Sequence, residues 1–258
     1  MAIATIDGAL AGMQPLVAWS KLSTQTLVAG RPYSLWGQAG APGAGSFDTT
    51  LAGVALSSTS AIPPGAFRHV DPGAGNAYLA RFTGGVSQSG MLLLCDRLWH
   101  NGGIGITTTT GQTVTSAAFP ARDNAGSING DGVQIGLEVS AGCGAAAPAP
   151  TITYTNQAGV GSKSAGLSFA TANSPAAGSF FPFGLQAGDT GVKSIQTYTQ
   201  NTSWVSGTVN LVAYRVLAQL PLMGGFARLY NGVCPFLIFV PSTTGNLNLS
   251  GSYVETQG

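Results

Sequence analysis

Along most of the chain, apolar and polar residues take turns. The stretch "DGVQIGLEVS" sets Val133, Ile135, Leu137 and Val139 on one side, with polar or small residues between them. Successive side chains of a strand point to opposite faces, so this period of two predicts a strand with one face in a core. "TITYTN", "AGLSFA" and "GNLNLSGSYVE" repeat the pattern, the last through Leu247, Leu249 and Tyr253. "NAYLARF" and "SGMLLLCDRLW" also read as strands. "PFLIFV" is a short continuous apolar run, the pattern of a strand buried on both faces. "SWVSGTVNLVAYRVLA" is long enough for two strands or one bent strand. The turn signals "NGDG", "TTTTG", "SPAAG", "AGDTG" and "STTG" punctuate the strands. Many short strands and no long helix predict an all-β fold, an antiparallel β-sandwich of jelly-roll type. One sandwich domain is expected over residues 21–258. The run "GCGAAAPAPT" at 142–151 reads as a loop inside it, because neither half carries enough strands and core to stand alone.

Two segments break the alternation. In residues 1–20, Ile3, Ile6, Leu10 and Met13 recur at helical spacing on one face, Thr5 can cap the start, and Pro15 is a natural stop. Gly8 and Gly12 weaken the helix. An isolated helix shorter than about 12 residues is marginal in water, so the stripe needs something to dock on. It either packs on its own domain or acts as an arm. We read it as an arm, with Ile3, Ile6, Leu10 and Met13 as interface residues toward a neighbouring copy or a shell. The second segment, residues 37–76, is punctuated by "GQAGAPGAGS", "IPPGAF" and "DPGAGN". It reads as a long irregular stretch, functional or a surface extension.

Composition sharpens the picture. Among 258 residues there are 10 Lys and Arg and 9 Asp and Glu, so only 7 % are charged and the net charge is +1. Ordinary globular domains carry about 25 %. Yet 44 % of the residues are hydrophobic, enough to bury a core. The surface must be covered mostly by Ser, Thr, Asn, Gln and backbone. It has no field to steer nucleic acid or acidic lipid, and little charge repulsion to oppose self-association. "MAIATIDGALAGMQPL" lacks the basic start of a secretion signal, and Arg215, Gln219 and Pro221 interrupt the longest apolar run. Neither nucleic acid nor membrane is therefore expected as a partner. Cys95, Cys143 and Cys234 are odd in number and far apart, as free thiols in a reducing compartment would be.

Candidate chemistry is sparse. Cys95 and His100 lie close in sequence, but a strand at roughly 3.3 Å per residue sets them about 16 Å apart on opposite faces. A thiol and its base must come within about 3.2 Å. The same alternation puts Arg97 beside Trp99, where the two can stack. Two His, His69 and His100, are too few for a multi-His metal site. Glu138 falls on the polar face of its strand and Glu255 lies near the C-terminus, whereas a glycosidase needs two facing carboxylates. "GVGSKSAG" lacks the order of a phosphate loop, and "GVSQSG" is not a nucleophile elbow. "RDNAGSINGDG" at 122–132 has oxygen ligands without calcium-loop spacing and reads as a hairpin-type turn. Trp19, Trp36, Trp99 and Trp204 are either stacking platforms for sugars or core filling, and core filling carries more weight. No enzyme activity, no cofactor and no metal are expected.

Taken together, "MAIATIDGALAGMQP", "LVAGRPYSLWGQAGAPG", "YLARF", "LLLCDRLWHNGGI", "NGDGVQIGLEVS", "GLQAGDTGVKSIQ", "NLVAYRVLA" and "PFLIFVPSTTG" span nearly the whole chain. In segment order and style they resemble virion structural proteins of tailed bacteriophages, most of all capsid decoration or minor capsid proteins. The resemblance implies a place on the capsid surface of the virion after synthesis in the host cytoplasm. It also implies the major capsid protein as partner, and a homo-oligomer, a trimer, at a symmetry axis. It carries over no binding residue. The rival expectation is a tail-associated or carbohydrate-binding β-sandwich module.

Overall fold

The alternating segments all become strands. A computed structural model describes residues 5–23, 25–59, 61–73, 75–87, 89–220 and 228–257. After the helix α1 (Ile6–Ala11) the chain begins with β1 (Val17–Leu22), β2 (Tyr33–Ser34), β3 (Gly40–Ala41), β4 (Val54–Ala55) and β5 (Ala77–Val86). It continues through β6 (Gly90–His100), β7 (Gln112–Thr113), β8 (Gln134–Ala141), β9 (Thr151–Asn156), β10 (Lys163–Leu167) and β11 (Phe180–Gly184). The last strands are β12 (Val192–Thr199), β13 (Thr208–Leu220), β14 (Arg228–Leu229), β15 (Pro235–Pro241) and β16 (Asn248–Gln257). The described fold is all-β, antiparallel and sandwich-like. Among the described residues no helix is long and apolar enough to cross a membrane.

The chain forms two compact units, where the sequence reading places one sandwich over 21–258. The first takes in Met1–Ser46, Ser57–Asp96 and Val216–Gly258, and the second Phe47–Leu56 and Arg97–Arg215. The chain passes from one unit to the other within β6 and within β13. The Ala- and Pro-rich run at 142–151 lies inside the second unit. The irregular segment 37–76 carries only β3 and β4, and residues 47–56 of it belong to the second unit.

In the first unit the sheet order is β14–β5–β16–β1–β3, with a second ladder of β2, β15 and the first part of β6. Both contribute to one core, in which Trp19, Phe82, Leu249 and Tyr253 meet Leu92, Leu94, Leu237 and Phe239. β15, the "PFLIFV" run, is buried along almost its whole length, as a continuous apolar run requires. Trp19 stacks on Phe82 at 6.1 Å. Gly251 makes room for it: a Cβ there would sit 2.0 Å from the Thr83 carbonyl and 2.5 Å from the indole.

The second unit runs β13–β8–β11–β10–β9–β12–β7, and β4 pairs with Trp99 and His100 at the end of β6. The curled strands enclose one core, and Val133, Ile135, Leu137 and Val139 are its floor, fully buried as the period of two demands. Trp99, Phe119, Tyr154, Phe181, Tyr198 and Trp204 fill it. β13 is one long strand with a bulge at Thr208/Val209, which settles the choice between two strands and one. All four Trp are buried, so they fill cores and offer no face to a sugar.

Candidate interaction surface

The N-terminal segment folds as its spacing suggests and attaches in an unexpected way. Thr5 caps α1 by accepting a hydrogen bond from the Gly8 amide at 3.0 Å. The helix stops at Ala11, before Pro15, because Gly12 leads into pairing with β16. Gln14 N donates to Glu255 O, Gln257 N donates to Gly12 O, and Thr256 Oγ1 donates to Ala9 O at 2.5 Å. Gly12 is required here, since a Cβ would lie 1.8 Å from the Gln257 carbonyl. The arm is thus held through its backbone, and no side chain of α1 is buried. Ile6 is 79 % exposed, Leu10 59 % and Met13 45 %, and Leu16 follows them half exposed. Ile3 lies outside the described residues. Three of the four expected interface residues therefore stand open to solvent on a tethered arm.

The cluster around Cys95 is buried structure. Cys95 is fully buried, and burial followed by the neighbouring Asp96 pushes its thiol well above the usual value. The period of two fails at the end of β6, where Arg97 and His100, three residues apart, share a hydrogen bond from Arg97 Nε to His100 Nδ1 at 3.0 Å. Burial, and then the Arg97 charge, lower the His100 pKa to about 2, so the ring is a neutral acceptor. Arg97 also reaches across to Glu138 Oε2 at 2.6 Å. Its guanidinium lies over the Phe47 ring, 5.9 Å from the centroid, and Trp99 packs against Phe119. Glu138 is consequently buried, although its strand position reads as a polar face.

Other ionisable groups are committed in the same way. His69 Nδ1 is 2.8 Å from Glu255 Oε1, and Nε2 is 3.0 Å from Asp71 Oδ1 but off the line of a good hydrogen bond. Lys21 is buried and donates to the carbonyls of Gln38, Pro42 and Gly43, fastening the irregular segment to β1; burial lowers its pKa to about 8. In the 122–132 loop, Asp123 accepts from the amides of Ala125, Ser127, Gly130 and Asp131 and from the Ser127 hydroxyl. Burial works to raise its pKa, but these bonds outweigh it and hold the carboxyl below the ordinary value. Its oxygens are spent on the loop itself, as a turn-forming Asp's are. Among the described residues no group of three or more His, Cys, Asp or Glu converges as a metal cage.

Sequence reasoning found the short helix from its spacing and its Thr5 cap. It missed the Arg97–Glu138 pair, which is 41 residues apart, and the His69–Glu255 pair, which is 186 apart. Their partners lie far apart in sequence, so no local pattern announces them. Comparisons with protein-family models, curated proteins and solved structures find no match.

Proposed function

We propose that this chain is a non-enzymatic structural protein of a phage particle. It binds and stabilises the capsid shell and assembles with copies of itself through the N-terminal arm. The observation that carries this reading is the arm: a capped helix, tied down through backbone, that turns Ile6 and Leu10, 79 % and 59 % exposed, to solvent. Leaving such side chains exposed is costly in water and useful when a partner covers them. The low charge supports the same reading. With net charge +1, copies do not repel one another, and contacts made without ion pairs survive changes of salt.

The test is the double substitution Ile6→Ser with Leu10→Ser. Both side chains are exposed, so melting should move by no more than a surface change does. Oligomer mass in solution and retention on purified particles should both fall sharply. Wild-type retention should change little between low and near-molar salt. Unchanged assembly of the double variant, or complete release of the wild type by salt, refutes the reading.

A further inference from the structure

An asparagine followed by glycine is especially prone to lose its side-chain amide, because glycine has no side chain to shield its own nitrogen. That nitrogen attacks the Asn Cγ, a C–N bond closes a succinimide ring, and ammonia leaves. Water then opens the ring to aspartate or isoaspartate. The nitrogen attacks only after it has given up its proton. The chain carries three such pairs, Asn101-Gly102, Asn129-Gly130 and Asn231-Gly232. In the structure the glycine N–H of every pair is donated. Gly102 N bonds Thr50 O at 2.9 Å, Gly130 N bonds Asp123 Oδ2 at 3.0 Å, and Gly232 N bonds Asp71 Oδ1 at 2.9 Å.

The three pairs differ on the asparagine side. Asn101 is fully buried, and both ends of its amide are bonded: Oδ1 accepts from Leu211 N at 2.7 Å and Nδ2 donates to Leu51 O at 3.0 Å. Asn129 and Asn231 are exposed, whereas the glycine after each is buried. At these two sites the acceptor of the glycine N–H is a carboxylate, in a chain with only 9 Asp and Glu. A carboxylate opposes the reaction twice. Its hydrogen bond holds the proton that must leave, and its charge disfavours a second negative charge on the nitrogen beside it. Burial works to raise the Asp123 pKa, but the bonds of its loop hold it below the ordinary value. The carboxyl is therefore ionised at the neutral and alkaline pH at which the reaction runs.

We propose that Asn129 and Asn231 are latent deamidation sites, locked in the folded chain by Asp123 and Asp71. Opening of either loop frees the glycine nitrogen and starts a change that refolding does not undo. An isoaspartate at position 129 inserts an extra carbon into the main chain just before Gly130. Gly130 has no space to shift into, since even a Cβ on it would lie 2.1 Å from the Val192 carbonyl at the start of β12. Each event also adds one negative charge to a chain whose net charge is +1. The two sites thus mark loop opening irreversibly, one in each unit. The inference is independent of the arm.

The test follows deamidation at each of the three asparagines by peptide mass spectrometry. The full-length chain is incubated at mildly alkaline pH, either folded or unfolded in urea. In urea all three sites should react at similar rates. In the folded chain Asn129 and Asn231 should slow by about tenfold or more, the factor that a hydrogen bond to a charged group carries. Asp123→Ala should restore a fast rate at Asn129 alone, and Asp71→Ala at Asn231 alone. Asn101 lies in the same unit as Asn129 and reports wholesale unfolding of that unit. With the lock removed, Asn129 should therefore outpace Asn101 by about tenfold or more, even where both rise. Equal rates at Asn129 and Asn101 in the Asp123→Ala chain overturn the lock at Asn129. An unchanged rate at Asn231 in the Asp71→Ala chain overturns the other lock. A folded wild-type chain that deamidates at both sites as fast as it does in urea overturns the inference as a whole.

Discussion

Replacing Asp123 by Asn changes one atom's chemistry and should cost the second unit much of its stability. Oδ1 accepts from the Ala125 amide at 3.0 Å and the Ser127 amide at 2.7 Å. Oδ2 accepts from the Ser127 hydroxyl at 2.7 Å and from the Gly130 and Asp131 amides at 3.0 and 3.2 Å. An amide group has one acceptor oxygen. If its NH2 takes the Oδ2 place, the Ser127 hydroxyl can turn and accept, but the Gly130 and Asp131 amides lose their acceptor. If it takes the Oδ1 place, two amides lose theirs as well. Each unsatisfied buried donor costs about 1–3 kcal/mol, and part of the Asp131 loss is recovered by water, giving about 2–4 kcal/mol in total. At about 2–4 °C per kcal/mol for a domain of this size, melting should drop by about 4–16 °C. Urea unfolding should show a lower midpoint with an unchanged slope. The pH dependence follows from the direction of the shift. The folded carboxyl is held below its ordinary value, so its contribution is present above about pH 4 and fades as pH falls through the folded value. The gap between wild type and Asp123→Asn should therefore narrow in acid. A variant whose unfolding free energy falls by less than about 0.5 kcal/mol at neutral pH would refute the claim that this carboxylate organises the loop.

Two further outcomes follow from buried charge. Glu138→Gln removes the carboxylate bonded at 2.6 Å to the fully buried Arg97, so it should destabilise by about 3–5 kcal/mol in denaturant unfolding, and a loss below about 1 kcal/mol would contradict the pairing. Lys21, lowered to about 8, binds no proton in the folded chain over a window in which the unfolded chain still does. Stability should thus rise from pH 8 toward about 10.4, and Lys21→Met should remove that rise; a wild-type profile flat across this window would count against it.

The sequence by itself determined the class of fold and the location of β5, β6, β8, β9, β10, β13, β15 and β16, but not of β1, β11 or β12. Alternation over Val133 to Val139, the continuous run of β15 and the Thr5 cap of α1 are local signals: the residues that matter are neighbours, and the period alone says which side they face. It also located the arm's stripe. It did not determine whether that stripe was covered, because Ile6 and Leu10 have the same spacing whether they face their own core or a partner, and only their exposure distinguishes the cases. Nor did it give the division into two units, since β6 and β13 each run unbroken through the point where the chain passes from one unit to the other. The pairs Arg97 with Glu138 and His69 with Glu255, and the three carbonyls around Lys21, arise only when the chain folds back on itself. The left-handed backbone of Val205 was equally illegible, because valine prefers the opposite sign of φ and only the clamped turn between Trp204 and Ser206 forces it.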